Sequence, residues 1–161
     1  MDELTDFLPG RVNLTLTLSS YIFLVITIVT AILYLTDSKM LMGVNIWLKP
    51  LKFSISIFIF LFTSAYIVPQ LPYQTSKQSI IVWVLIFTMI IEIACIIFQA
   101  YRGQQSHFNI TDPIGRKLFP LMLIMISVAY FTYLIILIDF FRLSTSLSAA
   151  NWACGLPFAI C

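Results

Sequence analysis

The sequence predicts an all-α integral membrane protein, a bundle of four transmembrane helices. Three observations carry the prediction. Of 161 residues, 60% are hydrophobic and only 10% charged, with a mean hydropathy of +0.99. A soluble domain carries about 25% charged residues, and a chain this short cannot hide so much apolar surface in one aqueous core. Four stretches approach the roughly 20 apolar residues with which a helix crosses a bilayer: residues 14–35, 47–68, 79–101 and 118–141. Finally, runs such as IIVWVLIFTMIIEIACIIF do not alternate as barrel strands would. Helices remain, because they satisfy their own backbone hydrogen bonds in lipid.

Each element has its own signals. MDELTDFLPGR precedes the first helix, and its Asp2, Glu3 and Asp6 are the reverse of the basic start of a signal peptide, so that helix is expected to be retained. The second opens within NIWLKPLKFSIS, where Pro50 suits a first turn. Pro69 and Pro72 mark a tight hairpin leading to the third. Asp112 and Pro113 close the next loop, and Pro120 is expected in the first turn of the fourth helix. The tail 142–161 is too broken by Ser, Asn, Gly and Pro for a fifth span. The whole, 1–161, reads as one transmembrane domain.

Lys and Arg collect in cytoplasmic loops. Lys39, Lys49, Lys52, Arg102, Arg116 and Lys117 fall on one side, against Arg11, Lys77 and Arg142 on the other. Both termini are therefore expected outside, with the first and third loops cytoplasmic. Tyr34, Trp47 and Tyr101 near one boundary, and Tyr66, Tyr73 and Trp83 near the other, suit headgroup depth.

The polar residues within the spans are the functional clue. Glu92, Cys95, Gln99 and Arg102 follow a helical spacing and share one face. Glu92 lies near the bilayer centre, where a charge costs about 2.5–3.5 kcal/mol on insertion scales and is expected to face the bundle interior. Lys49, Lys52, Ser56 and Thr63 form a second line, with Lys49 able to snorkel to the headgroups. Asn13, Ser20, Thr27 and Tyr34 form a third, weaker one. If the lines converge, they make a wet cleft open to the cytoplasm, rimmed by Lys52 and Arg102, with Gln99 deeper and Glu92 at the floor. His107, the only histidine, and Asn109 would join it from the loop. The plainer alternative is that each line joins helices by hydrogen bonds. Asp139 and Arg142, three apart, read as a local ion pair.

Several classes find no support. A net charge of +2, spread between helix ends, gives a nucleic-acid partner none. There is no phosphate loop, no CxxC and no Ser-His-Asp pattern, and Cys95, Cys154 and Cys161 lack metal-type spacing. No cofactor is indicated, and one histidine cannot supply two axial haem ligands. A disulfide between Cys154 and Cys161 is open only in an oxidising compartment. The NLT at Asn13 and NIT at Asn109 read as chance matches to the glycosylation triplet.

Three functions remain. The first binds or carries an anionic small molecule or lipid headgroup through Lys49, Lys52, Gln99, Arg102, His107 and Asn109, with Glu92 as a pairing or proton-coupled group. The second is a membrane enzyme with Glu92 or His107 as general base. The third is a scaffold subunit of a larger complex or homo-oligomer.

The elements GVNIWLKPLKFSISI and IIFQAYRGQQSHFN resemble a family of bacterial multi-pass membrane proteins sharing KPxKF and QAxRGxxSHFN motifs. The likeness covers residues 43–57 and about 92–109, and more loosely the fourth helix. It implies a bacterial inner-membrane location but no activity. The motif positions it carries over are Lys49, Pro50, Lys52, Phe53, Glu92, Gln99, Arg102, Gly103, Ser106, His107, Phe108 and Asn109. Longer members continue into helices bearing more histidines, so by this resemblance the chain reads as a shortened member or a truncated one.

Overall fold

The computed structural model describes residues 13–105 and 112–153, and of residues 144 and 146–153 the backbone only. His107 and Asn109, and with them Cys154 and Cys161, lie outside the described residues.

The chain is an all-α four-helix bundle: α1 (Leu14–Thr36), α2 (Leu48–Ile67), α3 (Thr75–Tyr101) and α4 (Pro113–Ala153). All four include stretches long and apolar enough to cross a membrane, so the chain has the build of a multi-pass membrane protein. α1 packs along α2, and α3 along α4. The two antiparallel pairs meet chiefly where α2 lies against α3. Leu16 and Phe23 of α1, Ile57 and Leu61 of α2, Leu85 and Met89 of α3, and Ala129 and Ile136 of α4 share one core. The outer faces of α1 and α4 keep Ile22, Val25, Ile32, Ile124, Phe131 and Ile135 exposed. In water such a surface would aggregate; in lipid it is solvated.

Both pairs are tied at each end. The Asn13 amide donates to the Ala65 carbonyl at 3.0 Å, where α1 begins and α2 ends. At the other end a short hairpin, β1 (Met40–Leu41) with β2 (Val44–Asn45), bridges α1 and α2. Its tip places Met42 at φ 54° and Gly43 at φ 80°. Positive φ at both central residues is the signature of a type I′ turn. Asn45 Nδ2 donates to the carbonyls of Tyr34 and Asp37, and its Oδ1 accepts from the Trp47 amide. Trp47 Nε1 donates to Asp37 Oδ2 at 2.9 Å. That bond, first, and the Lys39 amide hold the Asp37 carboxyl below the usual carboxylate range.

α4 is longer than the sequence suggests. It starts at Pro113 rather than 118, because Asp112 caps it, accepting from the Gly115 amide at 2.9 Å, and Pro113 takes the first helical position. Pro120 is therefore interior, not in the first turn. The helix also continues through the expected tail to Ala153. Serines and asparagine lower helix propensity by only a fraction of a kcal/mol each, so they do not stop a helix already running.

Candidate functional site

The face of α3 that carries Glu92, Cys95 and Gln99 is turned into the bundle, each side chain being at least nine-tenths buried. The other two polar lines behave differently. On α2, Ser56 and Thr63 are exposed, and their hydroxyls bond back to the carbonyls of Lys52 and Ile59. On α1, Ser20 and Thr27 likewise bond to carbonyls of their own helix. Such local bonds satisfy a hydroxyl without a partner helix. The contact between these helices is made instead by Thr30 and Ser54, whose oxygens lie 3.3 Å apart in a buried position.

Among the described residues, therefore, the three lines do not meet in one cleft. The polar residues are divided among a helix end and two cavities. At the C-terminus of α3, the amides of Gly103 and Gln104 donate to the carbonyls of Ala100 and Gln99, both at 2.9 Å. These are the paired bonds of a Schellman cap, with Gly103 at φ +66°. Arg102 makes a two-pronged ion pair with Asp112, at 2.7 and 3.1 Å, and also donates to Gln99 Oε1 at 3.0 Å. Gln99 Nε2 in turn donates to the Gln105 carbonyl. A cation thus closes the negative end of α3 while its carboxylate partner caps the positive end of α4. The hydrogen bond from Arg102, with that from Gly115, holds the Asp112 carboxyl below its ordinary range, and the same pair raises the guanidinium. Asp112 is the partner that sequence reasoning missed. Its signal was the Asp-Pro pair, an N-cap followed by a first-position proline.

The first cavity, of about 580 Å³, lies between the hairpin, the start of α2 and the end of α3. Its polar lining is Lys49, Lys52, Asn45, Gln104 and Gln105. Apolar wall is supplied by Leu41, Val44, Ile46, Phe53 and Ile96 among others. Lys49 is half-buried, with Nζ 5.9 Å from the Phe53 ring centre, and Lys52 is exposed. Gln105 Nε2 contacts Met42 Sδ, which ties the hairpin tip to the end of α3. All lining residues except Leu41 fall within 43–57 and 92–109.

The second cavity, of about 420 Å³, lies deeper, between α2, α3 and α4. Glu92 lines it, with Phe53, Phe60, Tyr130 and Tyr133. Phe53 borders both cavities, and Lys49 and Glu92 interact electrostatically. Of the expected site residues, Lys49 and Lys52 thus share the first cavity, Glu92 faces the second, and Gln99 and Arg102 serve the helix cap. No group of three or more His, Cys, Asp or Glu among the described residues could hold a metal ion.

At the opposite end, Asp139 does not pair with its helical neighbour Arg142 as expected. It accepts from the Tyr73 hydroxyl at 2.7 Å and pairs with Lys77 at 3.7 Å, both on the α3 side. The cross-helix partners win because the Tyr73 bond is part-buried, where a charge-assisted hydrogen bond is stronger than an exposed ion pair along one helix.

Compared with known proteins, the chain matches no family model, no curated protein and no solved structure.

Proposed function

We propose that this protein binds an anionic amphiphile, a lipid or lipid-like molecule with a negatively charged head, in the cavity beneath the hairpin. The supporting observation is its composition: two lysines and three amide side chains beside a wall of aliphatic and aromatic side chains. A free small anion would need only the polar part, whereas an amphiphile uses both. The six-to-three excess of basic residues supports a cavity at the cytoplasmic boundary, with both termini outside. The motif resemblance adds that the membrane is a bacterial inner membrane and that the two motif elements wall the cavity.

The test is thermal unfolding in neutral detergent with decanesulfonate, whose charge does not titrate near neutral pH, and with methanesulfonate, the head without the chain. Phosphatidylglycerol in the micelle distinguishes a lipid from a soluble amphiphile. Decanesulfonate stabilises the wild type but not a Lys49→Met/Lys52→Met variant, and methanesulfonate stabilises neither. Equal response of wild type and variant would overturn the proposal.

A further inference from the structure

The geometry points to a second binding site, for a hydrophobic organic cation, in the cavity lined by Glu92. Its volume, about 420 Å³, is within the range of drug-sized pockets, roughly 300–1,000 Å³. Four aromatic residues line it, Phe53 and Phe60 from α2 and Tyr130 and Tyr133 from α4. Glu92 is the only carboxylic acid among the described lining residues and is 2% exposed. A carboxyl at this depth turns inward because lipid cannot solvate its charge. Aromatic rings add attraction for a cation stripped of water, and they suit organic ammonium groups in particular.

The chain itself illustrates the chemistry. Lys49 holds its ammonium 5.9 Å from the Phe53 ring centre and interacts electrostatically with Glu92. A ligand cation in the cavity would meet the same carboxyl and the same ring. Lys49 is thus a tethered competitor, and it links this site to the anionic one.

Access is from the bilayer. α2 and α4 approach through side chains, with the rings of Phe60 and Tyr133 at 4.9 Å and 53°. Ser56 and Tyr130, both in the cavity lining, are exposed on the outer surface of the bundle. In lipid that surface meets acyl chains, so the ligand partitions into the membrane before it binds. Permanent positive charge, bulk and hydrophobicity follow as its required properties.

The site stands apart from the proposed amphiphile cavity, and opposite probes test the two. Tetraphenylphosphonium and tetraphenylborate have nearly one shape and opposite charge. Binding of each to the full chain in neutral detergent is measured by equilibrium dialysis, with decanesulfonate binding as the companion readout. Measured separately, tetraphenylphosphonium binds the wild type, and any tetraphenylborate binding is unaffected by Tyr130→Leu. Glu92→Gln weakens tetraphenylphosphonium by about tenfold or more, the scale on which loss of one buried charge partner acts, and does not weaken decanesulfonate binding. Lys49→Met does the reverse, weakening decanesulfonate and tightening tetraphenylphosphonium by several-fold. If Glu92→Gln does not fold, Tyr130→Leu, at an exposed lining position, carries the test with an expected several-fold loss. Equal tetraphenylphosphonium affinity in wild type and the Glu92→Gln or Tyr130→Leu variant, no binding to the wild type, or borate binding that Tyr130→Leu weakens just as much overturns the inference. Failure of decanesulfonate alone overturns only the amphiphile reading.

Discussion

Replacing Gly103 by alanine isolates the cap that ends α3. Gly103 has φ +66°, and a Cβ built there meets nothing within 4 Å. The cost is therefore one of backbone conformation, not of collision. Holding an L-residue in the left-handed region costs about 1–2 kcal/mol. The unfolded chain also loses freedom when glycine becomes alanine, which returns roughly 0.4–1 kcal/mol. The net expectation is a loss of about 1 kcal/mol, or about 2–4 °C in Tm for a chain of this size. Thermal unfolding followed by circular dichroism in detergent measures it. Gly103→Asn serves as the companion, because asparagine tolerates the left-handed region better and loses less. The variant also disturbs the approach of Gln104 and Gln105 to the first cavity, so decanesulfonate binding weakens with it. A Tm equal to wild type would refute the assignment of the cap. A loss of several kcal/mol would refute the statement that space around the glycine is open.

Met42→Asn is expected to stabilise the hairpin by up to about 1 kcal/mol, since an Asn-Gly pair suits a type I′ turn and methionine at φ 54° does not; hydrogen exchange of the 39–46 segment reads it. Asp112, whose carboxyl is held low by Arg102 and Gly115, lends stability at pH above the unfolded value of about 3.9 and loses it as pH falls through the lower folded value. Wild type and Asp112→Asn should therefore differ in unfolding at neutral pH and converge in strong acid. The Tyr73 hydroxyl is raised by burial, first, and by its bond to Asp139. Its contribution is present below the unfolded value of about 10 and fades as pH rises beyond it. The stability gap to Tyr73→Phe should close in alkali, and ultraviolet titration should show one late-ionising tyrosine fewer in the variant than in the wild type.

The four helices were legible because lipid demands one thing everywhere, a long apolar run. The inward face of α3 was also legible, since Glu92, Cys95 and Gln99 repeat at helical spacing. What the sequence could not show was which polar residues are spent on the fold. Arg102 and Gln99 look like ligand-binding groups until Asp112, ten residues away across a loop, is placed beside them. Ser56 and Thr63 look like part of a polar face until their bonds to their own helix are seen. The upstream extension of α4 was hidden in the Asp-Pro pair, whose capping role depends on the next turn being helical. Helix spacing specifies a face but not what stands opposite it, so the sequence put Lys52 at the rim of one cleft with Glu92 at its floor, whereas Lys52 and Glu92 line separate cavities that share Phe53.

Asp112 with Arg102 at one boundary, and Asp139 with Tyr73 and Lys77 at the other, fasten the third and fourth helices into a strut. The hairpin and the Asn13 amide do the same for the first two. Each strut resists splaying within itself, so a rearrangement that conserves these fastenings must slide or tilt one strut against the other. That displacement runs along the seam where α2 lies against α3 and passes the ring contact of Phe60 with Tyr133. Cross-links placed within a strut should leave any such motion intact, and a cross-link across the seam should arrest it.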